Sequence, residues 1–248
     1  MIDVHTHILP YMDDGAEDWD EALSMAELAV KSGVTALVAT PHCAMEGRYG
    51  TERADRMESQ LSRFRERLEE ASIPLAVCPG MEIFGLGPVA RGLERGELTT
   101  LNGSRYPLIE FPFEGFARQA TGVLAEVLAA GYRPVVAHPE RYQYVQQDPA
   151  LLNVWADMGC LLQINRGSLL GRFGPVEQEL SLSMVDRGFV CAVASDAHSS
   201  RQRTPWMRDV CTLLEEEFSP ELAELLLTRR PAALLEDQTM HIPEPVWF

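Results

Sequence analysis

The stretch Phe189-Val190-Cys191-Ala192-Val193-Ala194-Ser195-Asp196-Ala197-His198 decides how the chain is organised. Its first six residues are apolar with no polar alternation, the pattern of a strand covered on both faces of a parallel sheet. The run ends on an acid and an imidazole. The opening stretch, Ile2-Asp3-Val4-His5-Thr6-His7, has the same plan, a short apolar run that ends on histidines. Working outward, strand patterns rich in Val, Ile and Leu fall at 2–4, 36–39, 75–78 leading to 81–83, 108–111, 134–137, 161–164 and 189–194. Helical patterns fill the intervals at 20–31, 51–71, 119–130, 149–158, 175–187, 207–217 and 220–228. Gly33, Gly131, Gly159 and Gly188 follow four of them as stop signals. In the second helix Met57, Leu61, Phe64 and Leu68 form one apolar stripe, and the Arg and Glu between them form a solvated face.

Seven strands, each followed by helical or connecting sequence, predict an α/β fold: a distorted seven-stranded (βα) barrel. No linker rich in Pro, Gly or Ser and no internal repeat divides the chain. One domain over 1–248 is expected, with a C-terminal tail from about 237 to 248 that straps the barrel or contacts a second subunit. A chain of 248 residues suits a single barrel.

Composition excludes several classes. Hydrophobic residues are 46% and charged residues 23%, which is globular rather than disordered. With 21 basic against 37 acidic residues the net charge is −16, which argues against a nucleic-acid partner. No apolar run approaches the ~18 residues of a membrane span. The N-terminus lacks the basic and apolar regions of a secretory signal. The five cysteines are odd in number and widely spaced, which suits a reduced, cytoplasmic setting.

In a βα barrel, chemistry gathers where strands end. His5 and His7 follow the first strand, with Asp13 and Asp14 in the next loop. His42, Glu82 and Glu110 mark the second, third and fourth. His138 and Arg141 follow the fifth, Asn165 the sixth, and Asp196 and His198 the seventh. Five of the six histidines occupy these ends; His241 does not. So many carboxylates brought together without cations would repel and stay protonated. Divalent cations resolve the conflict, and mixed imidazole and carboxylate donors suit Mn, Fe or Zn. Nine donors are too many for one ion and fit two or three. Taken singly, each group has a plainer reading: Asp13 and Asp14 as turn residues beside Gly15, Glu110 as a helix cap, Arg141 paired with Glu140 at the surface.

The ordered set His5-Thr6-His7, Asp14-Gly15, Thr40-Pro41-His42, Gly80-Met81-Glu82, Ile109-Glu110-Phe111, Ala137-His138-Pro139-Glu140-Arg141 and Ser195-Asp196-Ala197-His198 resembles the polymerase-and-histidinol-phosphatase (PHP) superfamily. Within it, the segments 104–111 and 167–174 are similar to the bacterial metal-dependent protein-tyrosine phosphatases of capsule and exopolysaccharide operons. The resemblance implies a PHP-type barrel with a trinuclear centre of Mn2+. His5, His7, Glu82 and Asp196 would hold one ion. Glu82 would be shared with a second, held also by Glu110 and His138. Asp14, His42 and His198 would hold the third. Arg141 and Arg203 would bind phosphate. A metal-bound hydroxide would attack phosphotyrosine, and the implied partner is the phosphorylated tail of a bacterial tyrosine kinase. Arg166, where a small residue is expected before Gly167, departs from the pattern beside the site and is a candidate to alter substrate choice.

Three other readings remain open on sequence. A small-molecule phosphomonoesterase, such as one acting on histidinol phosphate, would use the same metals. A related metal hydrolase cleaving amides would leave Arg141 and Arg203 without an anion. A non-catalytic regulator on the same barrel would not need the full donor set. A cysteine mechanism is suggested by the Cys160 to Arg166 spacing. However, residues 161–164 read as a buried strand, which would hold the two ends roughly 20 Å apart.

Overall fold

The computed structural model describes residues 1–43, 51–240, 242 and 244–248. His241 and Pro243 of the expected tail lie outside the described residues. Among the described residues there are eight strands: β1 Ile2–Thr6, β2 Ala36–Ala39, β3 Ala76–Pro79, β4 Glu82–Phe84, β5 Leu108–Glu110, β6 Val135–Ala137, β7 Leu161–Asn165 and β8 Val190–Ala194. The helices are α1 Trp19–Ser32, α2 Thr51–Glu70, α3 Val89–Glu94, α4 Ala117–Ala129, α5 Gln143–Gln147, α6 Leu151–Asp157, α7 Arg166–Leu169, α8 Pro175–Asp186, α9 Arg208–Glu217, α10 Pro220–Glu224 and α11 Arg230–Leu235. Local chemistry sets their ends. In α1 the Asp18 side chain accepts the Glu21 N–H at 2.9 Å, and Gly33 closes the helix with a φ of 97°. In α2 the expected stripe of Met57, Leu61, Phe64 and Leu68 is buried.

Every strand pairing is parallel, as expected from the unbroken apolar runs. The strands do not show the expected seven-stranded barrel as one continuous sheet. They make two sheets, one of β1-β2-β3 and one of β4-β5-β6-β7-β8. The expected third strand, across 75–83, is two strands that pair with different neighbours. Pro79 has no N–H to continue a ladder. Gly80 passes so close to β2 that a Cβ there would sit 2.7 Å from Val38 Cγ1. The chain crosses from one sheet to the other at this point.

The sheets meet at two seams. Isolated parallel bridges join Thr6 to Ala197 and His42 to Glu82. At the first, Asp196 N–H donates to the His5 carbonyl (2.9 Å) and His7 N–H to that of Ala197 (2.8 Å). At the second, Glu82 N–H donates to the Pro41 carbonyl (3.2 Å) and Cys43 N–H to that of Glu82 (3.0 Å). One inner apolar cluster draws Val4, Val38, Leu108, Val135, Ala137, Leu161 and Ala194 from both sheets. A larger cluster lies between strands and helices. The residues the sequence singles out thus stand on a packed base, at the seams.

The last residues do lie against the body. Val246 N–H donates to the Arg187 carbonyl at 2.9 Å, and the Phe248 ring lies 5.2 Å from that of Phe189, tilted by 30°. Among the described residues no helix is long and apolar enough to cross a membrane.

Candidate metal centre

All nine side chains expected as ligands converge at the carboxyl ends of the strands. Glu82 is their hub. Its buried carboxylate lies 3.2 Å from His5 Nε2, 3.2 Å from His7 Nε2, 3.1 Å from His42 Nδ1 and 3.0 Å from His138 Nε2. Asp196 Oδ1 stands 3.5 Å from both His5 Nε2 and His7 Nε2. Glu110 is 3.8 Å from His42 and from His138. Asp14 Oδ1 is 3.5 Å from Nε2 of both His42 and His198. Four overlapping groups of donor atoms result: His7, Asp14, His42 and His198; His5, His7 and Asp196; His5, Glu82 and His138; His42, Glu82 and Glu110.

The spacing suits cations. Two donors, each ~2.1 Å from one ion at tetrahedral or octahedral angles, lie about 3.0–3.4 Å apart. The His5 and His7 Nε2 atoms are 3.2 Å apart. Two buried nitrogens with no room between them for a water fit a shared ion.

Protonation follows from the crowding. Burial opposes a charge on His5, but Glu82 and Asp196 outweigh it and raise its pKa. Burial also opposes a charge on His7, yet Asp13, Asp196 and Glu82 hold it well above the ordinary value. Burial, then the charges of Glu82 and Asp196, push Glu110 up to about 9. Burial holds His138 and His198 down to about 4. The imidazoles overcome burial and keep Glu82 well below the usual carboxylate range.

Backbone strain marks the same place. Among the described residues, seven non-glycine residues have positive φ, and His138 (33°), Asp196 (50°) and Arg203 (46°) are three of them. His138 also precedes a proline, which disfavours helical conformations further. Such strain persists where surroundings over-determine it, and it concentrates at functional sites.

Arg141 and Arg203 both reach Asp196 Oδ2, at 3.2 and 2.5 Å. Arg141 is clamped between the rings of Phe113 (4.5 Å) and Phe173 (4.4 Å). The surface pair with Glu140 is not formed. Glu140 is fully buried and accepts from the Ser168 hydroxyl (2.6 Å) and Asn165 N–H (2.9 Å). This explains the 167–174 segment. Ser168 anchors Glu140, and Gly167 leaves room for Phe173, whose ring would be 2.6 Å from a Cβ there. The segment builds the seat of Arg141.

Other residues act on this site without being singled out as ligands in the sequence. Asp13 Oδ2 is 2.7 Å from His7 Nδ1. Gln163 Oε1 is 3.0 Å from His5 Nδ1. Asn165 Nδ2 donates to Asp196 Oδ2 at 2.7 Å. Arg166 does not face substrate: its guanidinium is buried against Asp209 and the Thr204 carbonyl. The cleft, about 150 Å³, is lined by Asp14, His42, Glu82, Glu110, Phe113, His138, Arg141, Asp196, His198 and Arg203.

The comparisons with known proteins agree with this geometry. A model of the capsular polysaccharide synthesis family CpsB/CapC matches residues 1–236. The chain belongs to the CpsB/CapC family. The tyrosine-protein phosphatase YwqE of Bacillus subtilis is 40% identical over 248 residues, covering 99% of this chain and 96% of the relative. The tyrosine-protein phosphatase CpsB of Streptococcus pneumoniae is 30% identical over 96% of this chain and 99% of its own length. A solved structure from work on YwqE and CpsB, described as metal-dependent tyrosine phosphatases, superposes with a TM-score of 0.92. It is 37% identical and covers 100% of this chain and 99% of that one. This CpsB/CapC chain therefore shares with them one α/β domain of parallel sheets.

Proposed function

We propose that this chain is a metal-dependent protein-tyrosine phosphatase of capsular or exopolysaccharide synthesis. One observation carries the reading: a buried carboxylate, Glu82, is ringed by four imidazoles in a cleft that two arginines also line. Divalent cations at such a centre lower the pKa of water and offset charge on a phosphate. His5, His7, Glu82 and Asp196 would hold one ion, Glu82, Glu110 and His138 a second, and Asp14, His42 and His198 a third. The donor overlaps support two or three ions. The imidazole and carboxylate mixture supports Mn2+, with Fe and Zn as alternatives.

The chain's own groups have distinct tasks in this reading. Glu82 and Asp196 supply buried negative charge for the ions. Arg141 and Arg203 donate paired hydrogen bonds to phosphate oxygens and bear charge that builds up in the transition state. Asp196 and the two flanking rings hold Arg141 in its plane. A tyrosyl oxygen, with a pKa of ~10, leaves with little acid assistance. The substrate class is a phosphotyrosine protein, with the tail of a bacterial tyrosine kinase as the family-based candidate. A reduced, cytoplasmic compartment suits five cysteines that are odd in number and widely spaced.

The test is metal analysis of the purified protein with turnover of a phosphotyrosine peptide before and after chelation. Hydrolysis that disappears with the metal and returns with Mn2+ is expected. Undiminished turnover by thoroughly demetallated protein, or a preference for histidinol phosphate over the peptide, overturns the proposal.

A further inference from the structure

Resting on the reading of Arg203 as a phosphate-binding group, we propose that Arg166 is a positioning residue: it fixes the backbone at 203–204 and so aims Arg203 into the cleft. Arg166 opens α7 directly after β7 and is only 2% exposed. A buried guanidinium needs partners for its donors. Its Nε donates to Asp209 Oδ1 at 2.7 Å and one terminal nitrogen to Asp209 Oδ2 at 2.5 Å. The other terminal nitrogen donates to the Thr204 carbonyl at 3.0 Å. One planar fork thus ties α9 to the residue that follows Arg203. A lysine, as a single point charge, cannot span both partners.

Arg203 needs such support. Its φ of 46° is left-handed, a conformation that a non-glycine residue keeps only where its surroundings impose it. His198 N–H donates to the Arg203 carbonyl at 2.9 Å. Arg166 holds the next carbonyl, that of Thr204. With these two successive carbonyls anchored, the Arg203 guanidinium meets Asp196 Oδ2. The end of β7 therefore reaches Asp196 twice: directly through Asn165 Nδ2, and through Arg166, Thr204 and Arg203. Arg166 itself is absent from the cleft lining, so its influence passes through Arg203.

The experiment compares the metal-loaded full chain with Arg166→Lys, Asp209→Asn, Arg203→Ala and the Arg166→Lys/Arg203→Ala double variant. It reads KM and kcat on a phosphotyrosine peptide, the Kd of inorganic phosphate by calorimetry, metal content and Tm. Loss of one charge-assisted contact geometry is expected to raise KM and phosphate Kd about tenfold in Arg166→Lys, with metal content unchanged. Asp209→Asn should move the same constants in the same direction. In the Arg203→Ala background, Arg166→Lys should add nothing. A lowered Tm with unchanged KM and phosphate Kd makes Arg166 merely structural and overturns the inference, as does full additivity in the double variant. If the wild-type chain hydrolyses no phosphopeptide, the functional reading fails instead, while phosphate calorimetry still reports the coupling of Arg166 to Arg203.

Discussion

Asp13 Oδ2 lies 2.7 Å from His7 Nδ1, and the same carboxylate takes the His42 N–H at 2.8 Å. The imidazole holds Asp13 down to about 2 despite burial, so the carboxylate is charged and acts as acceptor. His7 then carries its proton on Nδ1 and turns Nε2 toward Glu82 and Asp196. Carboxylates that orient metal-binding imidazoles in this way typically contribute 10–100-fold to metal affinity. Asp13→Asn should therefore lose metal by about that factor while remaining folded, as read by metal retention after dialysis against graded chelator. Wild-type retention would show that Asp13 is only the turn residue its place beside Gly15 suggests.

Proton release should accompany metal loading. In the metal-free chain His5 and His7 are raised above the ordinary imidazole value and Glu110 sits at about 9, so all three hold their protons to higher pH than in the unfolded chain. A cation requires these groups deprotonated, so protons compete with it and affinity rises with pH. Raised folded-state values also mean that the native chain binds more protons than the unfolded one. Their stabilisation is complete below the unfolded values and fades as pH rises through the folded ones. His138 and His198, held down to about 4, act in the opposite sense up to about pH 6.5, so the metal-free protein should lose Tm between about pH 6.5 and 9, while the Mn2+-loaded protein does not. A gap between the two that is flat with pH would count against this protonation scheme.

The strand ends were legible because the signal is local. An apolar run closing on His, Glu or Asp can be read without knowing which strand lies alongside, and the structure brings all nine such groups together. Sheet partnership is not local. The run across 75–83 looks like one strand whether or not it changes neighbours at Gly80, so eight strands in two sheets were hidden. Asp13, Gln163 and Asn165 were missed as ligand supports for the same reason: each acts through a residue defined only by folding. Asp13 and Asn165 carried the available signals, an acid beside Asp14 in the loop after His7 and an amide at the end of the sixth strand. Arg166 was noticed as unusual, but only Asp209, 43 positions away, explains where its charge goes.

Cysteine chemistry should be dispensable. Cys160 and Arg166 flank the extended β7, and burial pushes the Cys160 thiol up to about 12. A thiol so shifted supplies almost no nucleophilic thiolate near neutral pH. Cys160→Ser should keep turnover within about twofold of wild type, a change of under half a kcal/mol. Loss of turnover with intact metal content would revive the cysteine mechanism.

Phe113 should distinguish aromatic from aliphatic phosphoesters. It lines the cleft, is 37% exposed, and stands 5.9 Å from the His138 ring while its face supports Arg141. A tyrosyl ring entering the cleft can stack against what remains exposed. Aromatic pairs contribute ~0.5–1.5 kcal/mol beyond area burial, or about 2–10-fold in KM. Phe113→Leu also removes one face of the Arg141 clamp, but that loss weakens every phosphoester alike. The ratio of effects therefore isolates the stacking. KM for a phosphotyrosine peptide should rise by that further factor over the rise for a small aliphatic phosphomonoester. Equal losses on both substrates would assign Phe113 to Arg141 alone and leave the preference for tyrosyl groups to the wider cleft.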